Sequence, residues 1–528
     1  MNNRLAFDKN CLESEAVFLK LSKRVHHNVQ TIKEELNNSA DLKVREFNLT
    51  IPSGRDISCA LIFFEGLISG QMVTDAVMQP ILHEVRDYDQ PLDANLVTFI
   101  KESVLTNSEL SDKNTVDDVV LAVMIGEVVL FIDGFNTAIS IDMKGWLHRA
   151  IDAPQSEGVI RGPRDSFIEA INRNMMLIRR RLRDPNLTFE RIQIGNRGQN
   201  DIVIAYIKDV ANDELVNEVR KRLENVDLDI ILDSGYIEQM IEDDWWSPFN
   251  TIQDTERPDE VAAGLVEGRV AILVDNSPFA LLAPATFNTL MLSPEDYYVR
   301  WPAANFVRII RFVASFVALV TPSLYISLVA YHPEMIPTEL ALSVAASREG
   351  IPFPAFIEAL IMELSLELLR EAGIRLPGPI GQTIGIVGGL IIGDAAVNAG
   401  IVSPFMVIVV AMTAIAGFII PTYTLSFGLR ITRFFLMLAA SFLGLYGLTL
   451  GLLLLLGHLA TLTSFGVSYL SPWAPFSPWD LKDSVMRSPW HSLKKRPGYT
   501  HTKDSTRQPM KSRLGKNKQK TSKRKRSS

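Results

Sequence analysis

The chain has 528 residues, of which 47% are hydrophobic, with a formal net charge of -7 and two cysteines, Cys11 and Cys59. This length allows two to four domains with ample cores. The composition excludes a disulfide-stapled scaffold and a uniformly basic nucleic-acid binder.

The hydrophobic residues are unevenly placed. Charge is spread through the first 300 positions, while long apolar runs dominate 306–466, so a water-soluble part is followed by a membrane part. Residues 1–44 read as a partly helical lead. It lacks a basic n-region followed by an apolar run and is not read as a secretory signal. The soluble part is therefore expected in the cytoplasm, with both cysteines as free thiols.

Two patterns then recur at one offset. LIFFEGLISGQMVTDAVMQPIL, from Leu61, and VIAYIKDVANDELVNEVRKRL, from Val203, each read as an apolar strand, a turn and a helix, 142 positions apart. GEVVLFIDGFNTAISI, from Gly126, and GRVAILVDNSPFALLA, from Gly268, are separated by the same 142. Asp133-Gly134 and Asp275-Asn276 supply the positive φ that a tight turn between strands needs. The expected fold class is α+β followed by all-α: two small duplicated α/β subdomains, 45–150 and 188–300, and then an all-helical multi-pass membrane domain.

Between them, residues 151–187 read as a basic linker helix beginning at Pro163, with Asp165 near its positive end. Phe167, Ile171, Met175, Ile178 and Leu182 recur every three or four residues as one apolar stripe. The stretch also carries Arg161, Arg164, Arg173, Arg179, Arg180, Arg181 and Arg183. Two readings stay open: a helix packed by its Met/Ile face, or a contact surface for protein or lipid headgroups at Arg161, Arg164, Arg179, Arg180 and Arg181. Nucleic acid is not expected, because the flanking units lack an aromatic-plus-basic motif.

Spans are expected within 301–470, near 312–330, 380–399, 401–420 and 434–459. Gly381, Gly385, Gly389 and Gly393 recur every fourth residue, a small-residue face for close helix packing. Glu363, Glu367 and Glu371 form an i, i+4 stripe that either lines a wet, cation-selective path or pairs at an interface with Arg370 and Arg375, and Asp394 either faces protein, water or such a path or bonds to backbone at a helix end. Four crossings place both termini on one side, and a tail with fourteen Lys or Arg against Asp504 in 491–528 marks that side as inside. Arg430 and Arg433 argue locally the other way. Residues 471–528 are expected as an interfacial segment, with Trp473, Trp479 and Trp490, running into a disordered basic tail.

No phosphate loop, dinucleotide fingerprint or zinc-protease motif is present, so no catalytic residue, cofactor or metal is expected. VIRGPRDSFIEAINRN, DTERPDEVAAGLVEGRVAILVDNSPFALLAP, SPEDYYVRW and EALIMELSLELLREAGIRLPGPIGQTIGIVGGLIIGDAAVNAGIVSP resemble segments of the A subunit of GerA-type spore germinant receptors. The likeness runs from about residue 55 to 478. It implies a multi-pass protein of the inner spore membrane, with the N-terminal domain and the tail on the spore core side. It also implies a nutrient-binding B subunit and a lipoprotein C subunit as partners, and a homo-oligomeric A subunit that conducts cations to start germination. A sporulation paralogue that releases ions without sensing nutrient is the alternative, ahead of a transporter or a membrane-anchored enzyme.

Overall fold

The structure, a computed structural model, describes residues 19–50, 56–68, 70–85, 94–105, 109–143, 154, 157–375, 389 and 392–507. Helix α1 (Val25–Glu35) buries Val25, Val29 and Ile32, spaced four and three apart, and so lies on a sheet by one stripe. Strands β1 (Leu42–Thr50) and β2 (Asp56–Phe64) form a hairpin. After β3 (Leu110–Lys113) comes α2 (Val116–Ile125), then β4 (Glu127–Ile132) and β5 (Ala138–Asp142). Thr115 caps α2 by accepting from the Asp118 amide, and Gly126 ends it at φ 94°, a left-handed conformation that costs glycine little.

The second unit opens with α3 (Ile171–Arg181), followed by β6 (Leu187–Ile194), β7 (Asn200–Ile207), α4 (Asp213–Glu224) and α5 (Ser234–Ile241). It closes with β8 (Gln253–Thr255), α6 (Pro258–Val266), β9 (Val270–Val274) and β10 (Ala280–Ala283). The sheet orders are β1-β2-β4-β5-β3 and β6-β7-β9-β10-β8, the same connection pattern twice, with every pairing antiparallel. Registers repeat too: Val129 opposite Ser140 becomes Ala271 opposite Leu282, both shifted by the expected 142. The turns hold Gly134 at φ 94° and Asn276 at φ 67°, as their residue types predict.

One boundary differs from expectation. The linker helix begins at Ile171, not Pro163, because 163–170 is drawn out along the second unit, where the Phe167 amide bonds to the Glu256 carbonyl at 2.8 Å. The lead and the linker helix are also working parts of the two units. The Asp133 carboxylate accepts from the Val25 amide (3.1 Å) at the start of α1, and Asp275 accepts from Ile171 (3.4 Å) at the start of α3. Asn28 clasps the backbone of Ser22, and Asn174 clasps that of Ile168 in the same two-bond way.

The helical part contains α7 (Trp301–Tyr331), α8 (Thr338–Arg348), α9 (Ala355–Arg375), α10 (Pro404–Phe418) and α11 (Tyr423–Thr461). Of these, α7 and α11 are long and apolar enough to cross a membrane, and α10 is a shorter apolar helix. The expected span at 434–459 is corrected, because α11 is not straight. Gly444, at φ 59° and ψ -139°, breaks it, and the chain doubles back there. Gly428 packs on Phe249, and His458 lies 6.3 Å from that same ring. A straight helix would hold these two residues about 45 Å apart. Along the hairpin Gly451 faces Leu436 and Gly447 faces Ala439, while Tyr331 fills the bend beside Gly444. Glycine at these positions lets the two arms approach closely.

The span expected at 380–399 lies largely outside the described residues, Gly381 and Gly385 included. The tail differs as well: instead of being solvated from 491, it is packed as far as Arg507. Arg496 Nε donates to the Val266 carbonyl (2.7 Å), Lys503 reaches Asp213 (2.6 Å), and Arg507 pairs with Glu267 (3.2 Å). Acidic groups on the second unit thus recruit tail cations that local composition assigns to solvent.

Candidate functional site

Three sets of charged side chains join the parts of the molecule. The first settles one arginine of the basic stretch. Arg179, on the last turn of α3, is fully buried. Its Nε and Nη2 donate to the two oxygens of Asp41 at 2.9 Å each, and Nη2 also donates to Ser39 (3.0 Å). The guanidinium lies 4.1 Å from the Phe64 ring of the first unit and 5.0 Å from the Phe189 ring of the second. It is therefore a staple between the units: a planar fork matched to a carboxylate and sandwiched by aromatic faces. Arg181 pairs with Asp165 at 2.5 Å. Arg161, Arg164 and Arg180 are exposed.

The second set joins the two α/β units to the helical part. Arg308 and Arg311, one turn apart on α7, both reach Asp296 at 2.9 Å. Arg308 also donates to Asp483 (2.9 Å), and the Tyr297 hydroxyl donates to the other Asp483 oxygen (3.0 Å). Arg487 donates to the backbone carbonyls of Asp296 (2.6 Å) and Val299 (3.3 Å). The C-terminal segment thus clamps the base of α7. Burial, followed by the Asp483 charge, pushes the Tyr297 hydroxyl well above its ordinary range. Sequence reading missed this cluster because Asp483 lies 175 positions beyond Arg308. The signal available was a pair of arginines at i, i+3 directly before an apolar run.

The third set contains the acidic stripe. Glu363 is buried and pairs with Arg433 at 2.7 Å. Glu367 pairs with Arg370 (2.8 Å), Arg430 (2.9 Å) and Arg433 (3.7 Å). Further along, Glu358 is fully buried, accepts from the Ser403 amide (2.9 Å) and pairs with Arg348 (3.0 Å). Glu371 and Asp394 are exposed, and Asp394 accepts from the Asn398 amide at 3.1 Å. Within one chain, Glu363 and Glu367 are thus held by arginines of the last hairpin. Arg430 and Arg433 lie inside α11, in the helix and not in the loop where topology counting placed them. Of the glycine row, a Cβ added at Gly393 would meet Val407 at ordinary contact distance, and one at Gly389 would meet nothing within 4 Å among the described residues. These clusters fix geometry through charge; they do not pair a nucleophile with a base.

The soluble face of the joint carries a pH-sensitive carboxyl. Glu238, on α5, accepts from the Asn250 amide (2.6 Å). Burial and then the nearby Asp254 charge push its carboxyl up to about 8, against the opposing Asn250 bond. An acid raised in the folded state binds its proton more tightly there than in the unfolded chain. Its contribution to stability is present below the unfolded value near 4 and is lost as pH rises through about 8. The melting temperature is therefore expected to fall from about pH 4 to about pH 8 and to level off above that, and Glu238→Gln is expected to flatten the slope. Thermal scans of the purified chain at several pH values provide the check; equal slopes in both proteins would refute it.

A sequence model described as "GerA: Bacillus/Clostridium GerA spore germination protein" matches residues 30–499. "Spore germination protein GerLA" of Bacillus cereus is 44% identical over 491 residues, covering 93% of this chain and 98% of that protein. "Uncharacterized membrane protein YfkQ" of Bacillus subtilis (strain 168) is 40% identical, covering 90% and 91% respectively. Among solved structures, the N-terminal domain of the A subunit of the Bacillus megaterium spore germinant receptor GerK3 aligns with a TM-score of 0.42 and 35% identity. That alignment covers 51% of this chain and 98% of that one.

Proposed function

Because the chain belongs to the Bacillus/Clostridium GerA family of spore germination proteins, we propose that it is the non-enzymatic, A-type membrane subunit of a nutrient germinant receptor. Copies of it associate into an oligomer that conducts cations when the receptor is triggered. A multi-pass, nutrient-binding B subunit and a lipoprotein C subunit are its partners. Its place is the inner spore membrane, with the two α/β units and the C-terminal segment on the core side.

The observation that carries this reading is the set of Glu363–Arg433 and Glu367–Arg430 pairs within a largely apolar bundle. Around that bundle Phe316, Phe435, Phe442, Leu453 and Leu454 are exposed, a surface suited to lipid. Ionised groups at such depth persist when paired or when they face a wet path. In this reading α7, α10 and both arms of α11 cross, an even number that keeps both ends on one side. We read the two α/β units as copies of one ancestral unit, supported by their shared topology.

The test is reconstitution of the chain with its B and C partners into potassium-loaded vesicles. Nutrient addition is expected to release potassium faster than from protein-free vesicles. An intact complex that stays tight to potassium across a nutrient panel would overturn the channel reading.

A further inference from the structure

The loop between α5 and β8 carries Trp245 and Trp246 side by side. The two side chains are 72% and 78% exposed, with ring centroids 4.7 Å apart. Asp244 turns back to accept from the Trp246 amide (3.2 Å), a tight turn at the base of the pair.

The loop is pinned on both sides of the two rings. Asp243 pairs with Arg222 of α4 (2.7 Å) and accepts from the amide of Phe465, just past the end of α11 (2.6 Å). Ser247 bonds to the His458 ring (3.0 Å), and Pro248 and Phe249 lie against Gly428. His458 and Gly428 stand near one end of the two arms of α11, three residues before Thr461 and five after Tyr423. Those offsets correspond to about 5 and about 8 Å of helix. The loop therefore lies beside the ends of the arms and not beyond them. On the second arm Leu453, Leu454 and Leu456 are exposed, and His458 is the first polar residue after them. On the first arm Phe427 is exposed next to Gly428. The apolar surface of the hairpin thus ends at the level of this loop.

We propose that Trp245 and Trp246 enter the headgroup layer of the bilayer around the helical part and seat the second unit on the membrane. An indole has an apolar body and one N–H donor, which suits the boundary between acyl chains and headgroups better than bulk water. The acidic residues beside the pair do not oppose this placement. Asp243 is matched by Arg222, and Asp244 is turned onto backbone. Burial, followed by the Asp244 and Asp243 charges, pushes the Glu242 carboxyl up to about 7, which lowers its charge near neutral pH. The contact is a second tie, besides the Arg308 cluster, that sets the height of the second unit above the bilayer. It rests on the membrane placement of α7, α10 and α11, and not on ion conduction.

The experiment compares the full chain with the double variant Trp245→Phe, Trp246→Phe, each reconstituted into phosphatidylcholine vesicles. Phenylalanine keeps an aromatic side chain on an exposed loop and removes the indole emission, so the difference between the two spectra reports the pair. With lipid brominated in the upper acyl chain, the pair is expected to lose at least about half of its emission relative to unbrominated lipid. Trp301, exposed at the start of α7, remains in both proteins and reports the helical part. Quenching of the variant with no added quenching of the pair would overturn the proposal and leave the membrane placement standing. In that case, quenching by aqueous iodide would assign the pair to water or a soluble partner, and resistance to both quenchers would assign it to a contact between copies. No bromolipid quenching of either protein would overturn the proposal and the membrane placement together.

Discussion

Replacing Arg433 by leucine is expected to lower the stability of the helical part by about 3–5 kcal/mol, because it leaves Glu363 buried beside apolar neighbours without its counter-charge. The Glu363–Arg433 contact is 2.7 Å long, and both side chains are at most 4% exposed. Removing both charges together, in the double variant Glu363→Leu with Arg433→Leu, is expected to restore most of the loss. A well-packed apolar pair is often as stable as the ion pair it replaces. The measurement is the melting temperature of the detergent-purified chain for the two single changes and the double one. A single change without effect, or a double change worse than both singles, would show that the pair does not hold α9 to the last hairpin. The contact also leaves Glu363 Oε1 and Arg433 Nε without hydrogen-bond partners. It is therefore an incompletely satisfied pair, suited to an element that rearranges.

The second large effect is expected at Arg179. Arg179→Leu keeps the apolar stem but removes the fork, leaving Asp41 buried with its charge uncompensated. The expected loss is again about 3–5 kcal/mol, enough to separate or unfold the two α/β units. Lysine in its place is expected to rescue only partly, since a point charge cannot bond both Asp41 oxygens in one plane or lie flat between Phe64 and Phe189. Limited proteolysis of the full chain, followed at the junction between the units, reads the difference. Leucine and lysine variants as resistant as the native chain would remove Arg179 from its role as a staple.

Much of the soluble architecture was legible before any coordinates. The repeat at 142 located β4 and β9 together with their turns, because strand alternation and a positive-φ turn residue are local signals. The apolar runs from Phe306 onward were equally plain. How the lead and the linker helix are seated was not legible. Asp133 and Asp275, which seat those helices, act on partners more than 100 positions away, and no periodicity reports that.

The amino-acid sequence by itself determined the two α/β units, the apolar helices and the family, since composition, period and motif are properties of neighbouring residues. Only the tertiary structure decided which arginine meets which carboxylate, that the last apolar run folds back at Gly444, and that the tail is packed through Arg507. Such pairings depend on which distant surfaces come within a few ångströms. A charge reads the same in sequence whether it faces water or an opposite charge.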